Sequence, residues 1–440
     1  MLKVCKFGGS SLSDGSQFAK VKAIIEADSE RKMVVVSAPG RRFGKDTKVT
    51  DLLYLCHAHL KYDVPFDNVV DMIKERYQAI ADECGLGIDL DAEFEEIFAD
   101  VKKSTSADYL ASRGEYLNAK LMAEYLGFRF VDATEWMCFK FDGSVDSEKT
   151  EEKLKELFNV YGKIVSPGFY GAMPDGKIKV FSRGGSDISG AIAAASLDAD
   201  IYENWTDVSG ILMVDPRIVK DPKSIAKVTY AELRELSYMG ASVLHEDTIF
   251  PVRLKDIPVN IRNTNAPEDP GTLIREKFDT YSAEEDARFI TGITGKKNFT
   301  IVTVHKSNMV SKTVMLRKVL GICETYKLPI ETVSNGVDCF SLVVPDEALA
   351  GKQYDFVADV KDQLAADEVS LTDGISLIAI VGRQMAYRTG ISGKIFKTLG
   401  ENKINIRTIE QGSDEICIMV GVYTEDFERG IQVLYESFAK

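Results

Sequence analysis

A lysine, two glycines and two serines follow the first apolar run of the chain, as Lys6-Phe7-Gly8-Gly9-Ser10-Ser11 after Leu2 to Cys5. Glycines at a strand end let backbone N–H groups approach a phosphate chain, and the lysine adds a mobile positive charge. The same residues also describe an ordinary strand-to-helix turn with a serine N-cap. Both common phosphate-binding motifs, G-x-x-x-x-G-K-[ST] and G-x-G-x-x-G, are missing from the chain. The stretch therefore indicates either a phosphate-binding turn of another type or a simple turn.

A second reactive stretch, Arg183-Gly184-Gly185-Ser186-Asp187, lies between a predicted strand and an Ala-rich helix predicted from Ser189 to Ser196. A guanidinium can form two parallel hydrogen bonds to a carboxylate, and an aspartate can accept an ammonium. The glycines would let the backbone approach the same ligand. This pattern favours an amino acid as the ligand, although Arg183 and Asp187 could instead form a local ion pair that caps the helix.

Two further stretches carry polar groups. Ser37-Ala38-Pro39-Gly40 ends a predicted buried strand and is followed by a basic loop from Arg41 to Lys48 and a helix from Thr50 onward. Parallel α/β sheets bind ligands at the carboxyl ends of their strands, so this loop is either a ligand loop or a solvated charged loop. Gly114-Glu115 is predicted to start a helix, where Glu115 either faces a ligand or only offsets the helix dipole.

The C-terminal third contains an internal repeat. Residues 330–338 and 406–414 match at Ile, Thr, Gly and Asp. A strand and a helix are predicted before each copy, and a strand and another helix after it. The order βαββαβ indicates a ferredoxin-like unit built twice.

Taken together, these stretches resemble the amino acid kinase family, and among its branches the aspartate kinases most closely. The opening matches the family's KFGGSSL, and the resemblance covers nearly the whole chain. It implies an α/β/α sandwich as catalytic domain over residues 1–285. Two ferredoxin-like ACT modules would follow at 297–370 and 371–440, and a strand from 287–296 could belong to the second module.

The resemblance also implies roles for individual residues. The catalytic residues would be Lys6, Gly8, Gly9 and Asp187. The amino acid substrate would contact Ser37, Thr50, Glu115, Arg183 and Ser186. The nucleotide would contact Lys6, Gly8, Gly9, Ser10, Thr206, Asp207, Asp215, Arg217 and Ser242, the last of which stands where many relatives carry lysine. An effector would contact Met309, Glu331, Ser334 and Asn335. Met309 lies where relatives usually have a glycine-containing helix start, and Ser334 and Asn335 would lie in a turn.

Composition restricts the class of partner. The 440 residues suggest about three domains, and 45% of them are hydrophobic. The formal net charge of −14 argues against nucleic acid or an anionic membrane as partner, because both would repel such a surface. The N-terminus resembles no signal peptide and no apolar run approaches about 20 residues, so a cytoplasmic location is expected. The seven cysteines are expected to be reduced thiols.

The activity implied by the resemblance is transfer of the γ-phosphoryl group of ATP, with Mg²⁺, to the side-chain carboxylate of L-aspartate, in the first step of lysine, threonine and methionine biosynthesis. A carboxylate is already ionised at pH 7, so no general base is needed. The resemblance assigns no protein ligand to the metal. It implies a homodimer or tetramer joined through the ACT modules and inhibited by lysine, with threonine or joint inhibition second. A glutamate or acetylglutamate kinase and a non-catalytic amino acid sensor remain alternatives.

Overall fold

The computed structural model describes residues 1–99, 101–102, 104–182, 184–241, 244, 246–281, 289–307, 312–383, 385, 389–412 and 416–439, without the side chains of 246 and 247. The chain forms two compact units. The first unit comprises Met1–Ile211, Ser224–Tyr230 and Val243–Phe278. The second unit comprises Leu212–Lys223, Ala231–Ser242 and Asp279–Lys440. Three segments from the range 1–285 predicted for the catalytic domain thus belong to the second unit: the two internal ones and the start of Asp279–Lys440.

Strands of the first unit form a central sheet and a small hairpin. They are β1 (Lys3–Phe7), β2 (Arg31–Val36), β3 (Arg129–Phe130), β4 (Ile164–Pro167), β5 (Tyr170–Ala172), β6 (Ile178–Val180), β7 (Ile201–Thr206), β8 (Lys227–Thr229), β9 (Val259–Asn263) and β10 (Thr272–Arg275). The eight-stranded sheet has the order β3-β4-β2-β1-β7-β9-β10-β8, with β5 and β6 paired separately. Neighbours are parallel except β9 and β10. The apolar runs of β1 and β2 suit a parallel sheet that is covered on both faces.

Helices cover both faces of this sheet. In chain order they are α1 (Gly15–Glu26), α2 (Val49–Lys61), α3 (Asp67–Cys84), α4 (Leu90–Phe98), α5 (Ala107–Leu126), α6 (Ala133–Trp136), α7 (Ser147–Tyr161), α8 (Gly185–Ser196) and α10 (Glu246–Leu254), whereas α9 (Tyr230–Tyr238) belongs to the second unit from Ala231 onward. Helices α1 to α5 share one core with Cys5, Phe7 and Trp205. Helix α8 packs on β1, β2 and β7 with α7 and α10 beside it. The predicted α/β/α sandwich is confirmed.

A second, antiparallel sheet forms the centre of the second unit. The elements are β11 (Ile290–His305), α11 (Lys312–Tyr326), β12 (Thr332–Asn335), β13 (Cys339–Pro345), α12 (Asp346–Leu349), α13 (Gln353–Leu364), β14 (Glu368–Gly382), α14 (Ile391–Glu401), β15 (Ile406–Gln411), β16 (Cys417–Tyr423) and α15 (Phe427–Ala439). The six strands have the order β12-β13-β11-β14-β16-β15.

The two longest strands, β11 and β14, each serve both ferredoxin-like modules. Residues 299–305 pair with β13 and with the 368–375 half of β14. Residues 290–296 pair with the 377–382 half of β14, which continues to β16. Each half of the sheet therefore has the strand order 2-3-1-4 of a ferredoxin-like module. The predicted pair of modules is confirmed, and the strand that completes the second module precedes the first module in the chain.

Two helix starts differ from those predicted. Helix α5 begins at Ala107 because the Ser106 hydroxyl accepts a hydrogen bond from the Tyr109 N–H, so Glu115 lies in the middle of the helix and has no dipole role. Helix α8 begins at Gly185 after Gly184 adopts a left-handed φ of 57°, which places Asp187 in the first turn. Among the described residues, the helices are too short or too polar to cross a lipid bilayer.

Candidate functional site

A cation, a carboxylate and an amide meet at the carboxyl ends of β1 and β7. Lys6 Nζ lies 2.7 Å from Asp187 Oδ1, and Asn204 Nδ2 donates a hydrogen bond of 2.8 Å to the same oxygen. Lys6 and Asn204 are direct neighbours in the β1–β7 register, and both are buried. Side chains alternate along a strand, so Lys6 points towards α8 while Cys5 and Phe7 enter the opposite core. This end of the sheet is where open α/β folds bind ligands.

The glycine turn beside Lys6 is fixed by two neighbouring strands. The Gly8 N–H donates to the Trp205 carbonyl at 3.0 Å, and the Gly40 N–H donates to the Gly9 carbonyl at 2.8 Å. A Cβ atom on Gly40 would lie 2.5 Å from the Gly9 carbonyl carbon, so only glycine fits there. Gly8, Gly9 and Ser10 remain half-buried, which leaves this turn accessible to a ligand.

Glu115 is a buried carboxyl group with unused hydrogen-bonding capacity. Its side chain is on α5, and its Oε2 has no hydrogen-bond partner among the described residues. Burial raises the pKa of this group to about 8, although the backbone N–H groups of Ala38 and of Glu115 itself favour the charged form. An unsatisfied buried acceptor is costly, and a strongly shifted pKa is a common sign of a functional site. The group is suited to receive an ammonium.

The structure places the other predicted substrate residues at strand and helix ends of the first unit. Ser37 follows β2, and its N–H donates to the Phe7 carbonyl at the end of β1. Thr50 is half-buried in the first turn of α2. Ser186 lies in the first turn of α8, where a Cβ atom on Gly168, just after β4, would come within 2.9 Å of it. Ser37 and Ser186 thus lie at the same edge of the sheet as Lys6.

The predicted nucleotide residues divide between the units. Thr206 ends β7, and its hydroxyl donates to Asp207 at 3.1 Å in the first unit. Asp215 and Arg217 belong to the second unit and pair with each other at 2.5 Å. The hydrogen bond from Arg217 holds the pKa of the Asp215 carboxyl below its usual value. Arg183, Ser242 and Met309 lie outside the described residues.

The predicted effector residues lie in the second unit around the edge strand β12. The Glu331 carboxylate accepts a hydrogen bond of 2.8 Å from the Tyr238 hydroxyl. Ser334 and Asn335 are exposed and form the end of β12, where both residues pair with β13. The prediction that they lie in a turn was therefore wrong. As β12 is the first strand of the sheet, its other edge faces away from β13.

Comparison with known proteins identifies the family. The model of the amino acid kinase family matches residues 1–263, and an ACT domain model matches residues 378–438. The chain is 35% identical to aspartokinase 3 of Bacillus subtilis, over 99% of this chain and 98% of that protein. The chain belongs to the aspartate kinases of the amino acid kinase family. The crystal structure of Clostridium acetobutylicum aspartate kinase shares 47% identity and a TM-score of 0.91 over 99% of both chains. Escherichia coli aspartokinase III in complex with lysine and aspartate has a TM-score of 0.74 at 25% identity, over 100% of both chains.

Three residues of this kinase site were missed by the sequence reasoning. Asn204 could have been noticed as an amide in a buried strand that lies beside Lys6. Asn118 lies three residues after Glu115 on the same helix face, and its amide donates to the Ser37 carbonyl at 2.7 Å. Arg76 gave no local signal, because its partners lie on a loop far away in the sequence.

Arg76 closes the basic loop of the kinase at both ends. Its buried guanidinium donates to the Gly40 carbonyl at 2.5 Å and to the Thr47 carbonyl at 3.0 Å. It also pairs with Asp46 at 3.1 Å, and Asp46 in turn pairs with Arg42. The loop from residue 41 to residue 48 is therefore held in one shape before it enters α2.

Replacing Arg76 by alanine is expected to raise KM for the amino acid substrate by about 10-fold, because the loss of buried hydrogen bonds costs on the order of 1–3 kcal/mol. Trypsin should also cut the freed loop faster, since Arg41, Arg42 and Lys45 are exposed. Lys74→Ala is the control, because Lys74 lies on the same helix and pairs with the exposed Asp91. Equal cleavage rates in wild type and Arg76→Ala would contradict this role.

Proposed function

We propose that this protein transfers the γ-phosphoryl group of ATP to the side-chain carboxylate of L-aspartate, giving 4-phospho-L-aspartate. The observation that carries the proposal is the buried contact between Lys6 and Asp187 beside the glycine turn. The family membership and the Escherichia coli relative crystallised with aspartate support the choice of acceptor.

The residues of the site would have different roles in binding and catalysis. Lys6 places a positive charge where negative charge develops on the transferred group, and the turn of Gly8 and Gly9 would let the phosphates approach the backbone closely. Glu115 would receive the substrate ammonium with its unpartnered oxygen. The remaining substrate contacts are proposed for Ser37, Thr50, Arg183 and Ser186, and the remaining nucleotide contacts for Ser10, Thr206, Asp207, Asp215, Arg217 and Ser242. The substrate carboxylate is already ionised, so the site needs no base and acts by holding two anions in line.

The donor set fits Mg²⁺ that arrives with the nucleotide. Within the described ranges, no three His, Cys, Asp or Glu side chains gather into a metal site. Mg²⁺ usually keeps several waters and uses one or two carboxylates together with substrate phosphates. Asp187 is the carboxylate of this site that could serve it. The bound ion would neutralise charge on the phosphates.

A coupled ADP-release assay with MgATP tests the proposal. L-Aspartate, L-glutamate and N-acetyl-L-glutamate are supplied in turn, and turnover is expected with L-aspartate. Turnover with glutamate or acetylglutamate instead would assign a different amino acid kinase, whereas binding of an amino acid without ADP release would assign a sensor.

Regulation by an amino acid is proposed for the second unit. Two ACT modules and the lysine complex of the Escherichia coli relative favour lysine as inhibitor of a first step shared by lysine, threonine and methionine biosynthesis, with threonine or joint inhibition second. Strands β12 and β15 end the sheet on its two sides, and such edges are covered when two copies pair. A homodimer through the ACT modules is proposed, and light scattering would give its mass.

Glu331→Ala is expected to raise the lysine concentration for half-inhibition by at least about 10-fold and to leave kcat without lysine unchanged. The reason is that loss of a carboxylate partner of an ammonium costs on the order of 1.5–3 kcal/mol. Glu347→Ala is the control, because Glu347 is an exposed acid of the same unit. Unchanged inhibition in Glu331→Ala would remove Glu331 from the effector site.

A further inference from the structure

We propose that Asn204 is a positioning residue of the phosphoryl transfer, because its amide fixes the Asp187 carboxylate and thereby the direction of the Lys6 ammonium. This inference rests on the proposed function. Asn204 would be a third group beside the Lys6–Asp187 pair, and it lies on β7, the strand next to that of Lys6.

The geometry is that of two donors on one acceptor. Asn204 Nδ2 lies 2.8 Å from Asp187 Oδ1, and Lys6 Nζ lies 2.7 Å from the same oxygen. Asn204 is 4% exposed and Lys6 is 7% exposed, so water competes little for either donor. A lysine alone would leave the carboxylate free to rotate about its last torsion, since an ammonium acts as a point charge. The amide is a directional donor, so the carboxylate takes one orientation.

Strand β7 holds Asp187 at a second point. The Tyr202 hydroxyl donates to the Asp187 backbone carbonyl at 3.1 Å. Tyr202 and Asn204 are two residues apart and therefore lie on the same face of the strand. The backbone and the side chain of Asp187 are thus both fixed by β7, which pairs directly with the strand of Lys6.

Asn204 has no comparable structural task. Asparagine is unfavourable in a buried strand, and a buried amide costs free energy unless it is hydrogen-bonded. Its neighbour Glu203 faces the other side of the sheet, where Arg31 pairs with it at 2.8 Å and builds a buried structural ion pair. Valine or isoleucine would serve the packing at position 204, whereas a directional donor to Asp187 requires the amide.

Kinetics of three variants test the inference. Asn204→Ala is expected to lower kcat by about 10–100-fold, with KM for ATP and for the amino acid changed less than about threefold. Asn204→Leu, which fills a similar volume without a donor, is expected to lose as much kcat as Asn204→Ala while keeping more of the wild-type Tm. The control is Asn260→Ala on the adjacent strand β9, expected to keep wild-type kcat.

Two results would overturn the inference. One is a kcat of Asn204→Ala within threefold of wild type. The other is a kcat of Asn204→Leu that exceeds the kcat of Asn204→Ala in step with its higher Tm, because a purely structural residue would behave in that way. The ratio of variant to wild type is measured with whichever acid the wild type phosphorylates. Failure of aspartate as substrate and failure of the Asn204 role are therefore separate outcomes.

Discussion

Replacing Lys6 by alanine is expected to lower kcat by about 10²–10³-fold. One preorganised contact to developing charge typically contributes about 3–4 kcal/mol to the barrier. The Lys6 ammonium is suited to this because it is buried and held 2.7 Å from Asp187 at the glycine turn. The measurement is steady-state turnover of aspartate with saturating MgATP.

Lys3→Ala is the matched control for this variant. Lys3 starts the same strand and pairs with Asp28 at 2.6 Å, away from the glycine turn. It should keep wild-type kcat with at most a small loss of Tm. The circular dichroism spectrum of Lys6→Ala should remain that of the wild type, since Asn204 still donates a hydrogen bond to the Asp187 carboxylate. A folded Lys6→Ala protein with near-wild-type turnover would refute the assignment of Lys6.

Glu115→Gln is expected to raise KM for aspartate by about 10²-fold or more and to change KM for ATP little. Removing one partner of a buried charge pair costs on the order of 2–5 kcal/mol. Since burial raises the pKa of Glu115 to about 8, its carboxyl is neutral in the free enzyme below that pH. Binding an ammonium there requires loss of this proton. The kcat/KM for aspartate should therefore rise with pH towards 8 in the wild type and stay flat in Glu115→Gln.

The raised pKa of Glu115 also predicts that the stability of the folded protein depends on pH. The folded pKa of about 8 lies above the ordinary value of 4.5, so the folded state prefers the neutral carboxyl. The stabilising effect of Glu115 is complete below pH 4.5 and is lost as the pH rises to about 8. The loss is at most on the order of 5 kcal/mol. Glu115→Gln should therefore gain Tm relative to wild type at pH 8.5 and not at pH 4.5.

Glu124→Gln on the same helix is the control for both Glu115 measurements. Its carboxylate is exposed and accepts a hydrogen bond from the Gly87 N–H. Parallel pH profiles of Tm for wild type and Glu115→Gln would show that Glu115 is ionised in the fold at neutral pH and would contradict the prediction.

Local patterns were enough to predict the residues that end strands. Lys6 and Asp187 stand next to glycines at predicted strand-to-helix junctions. Their meeting could not be predicted in this way, because the strand before Asp187 is β6, which pairs with β5 outside the eight-stranded sheet. The packing of α8 on β1 brings the two residues together. The position of Glu115 could not be predicted either, because the Ser106 cap that starts α5 looks like any serine in a polar stretch.

Roles that depend on which residues meet in the folded protein could not be predicted from the sequence. Asn204 faces Lys6 only because β1 and β7 pair in one register, and a shift by one residue would turn its amide to the other face. Arg76 on α3 contacts Gly40, which lies 36 residues earlier in the chain, and no short-range pattern predicts that contact. In the second unit, the repeat predicted two modules but could not show which strand completes the second.

The shared strands of the second unit decide where this protein can be divided. A fragment that starts at residue 371 would carry the second ACT motif but lack residues 290–296, the strand that covers residues 377–382. Its exposed edge would offer unpaired backbone groups to any neighbouring chain, so such a fragment should aggregate or dimerise edge to edge. A regulatory fragment that folds by itself must begin before Ile290 and must include the first module. The reason is that the first module lies in the chain between residues 290–296 and the rest of the second module, which they complete.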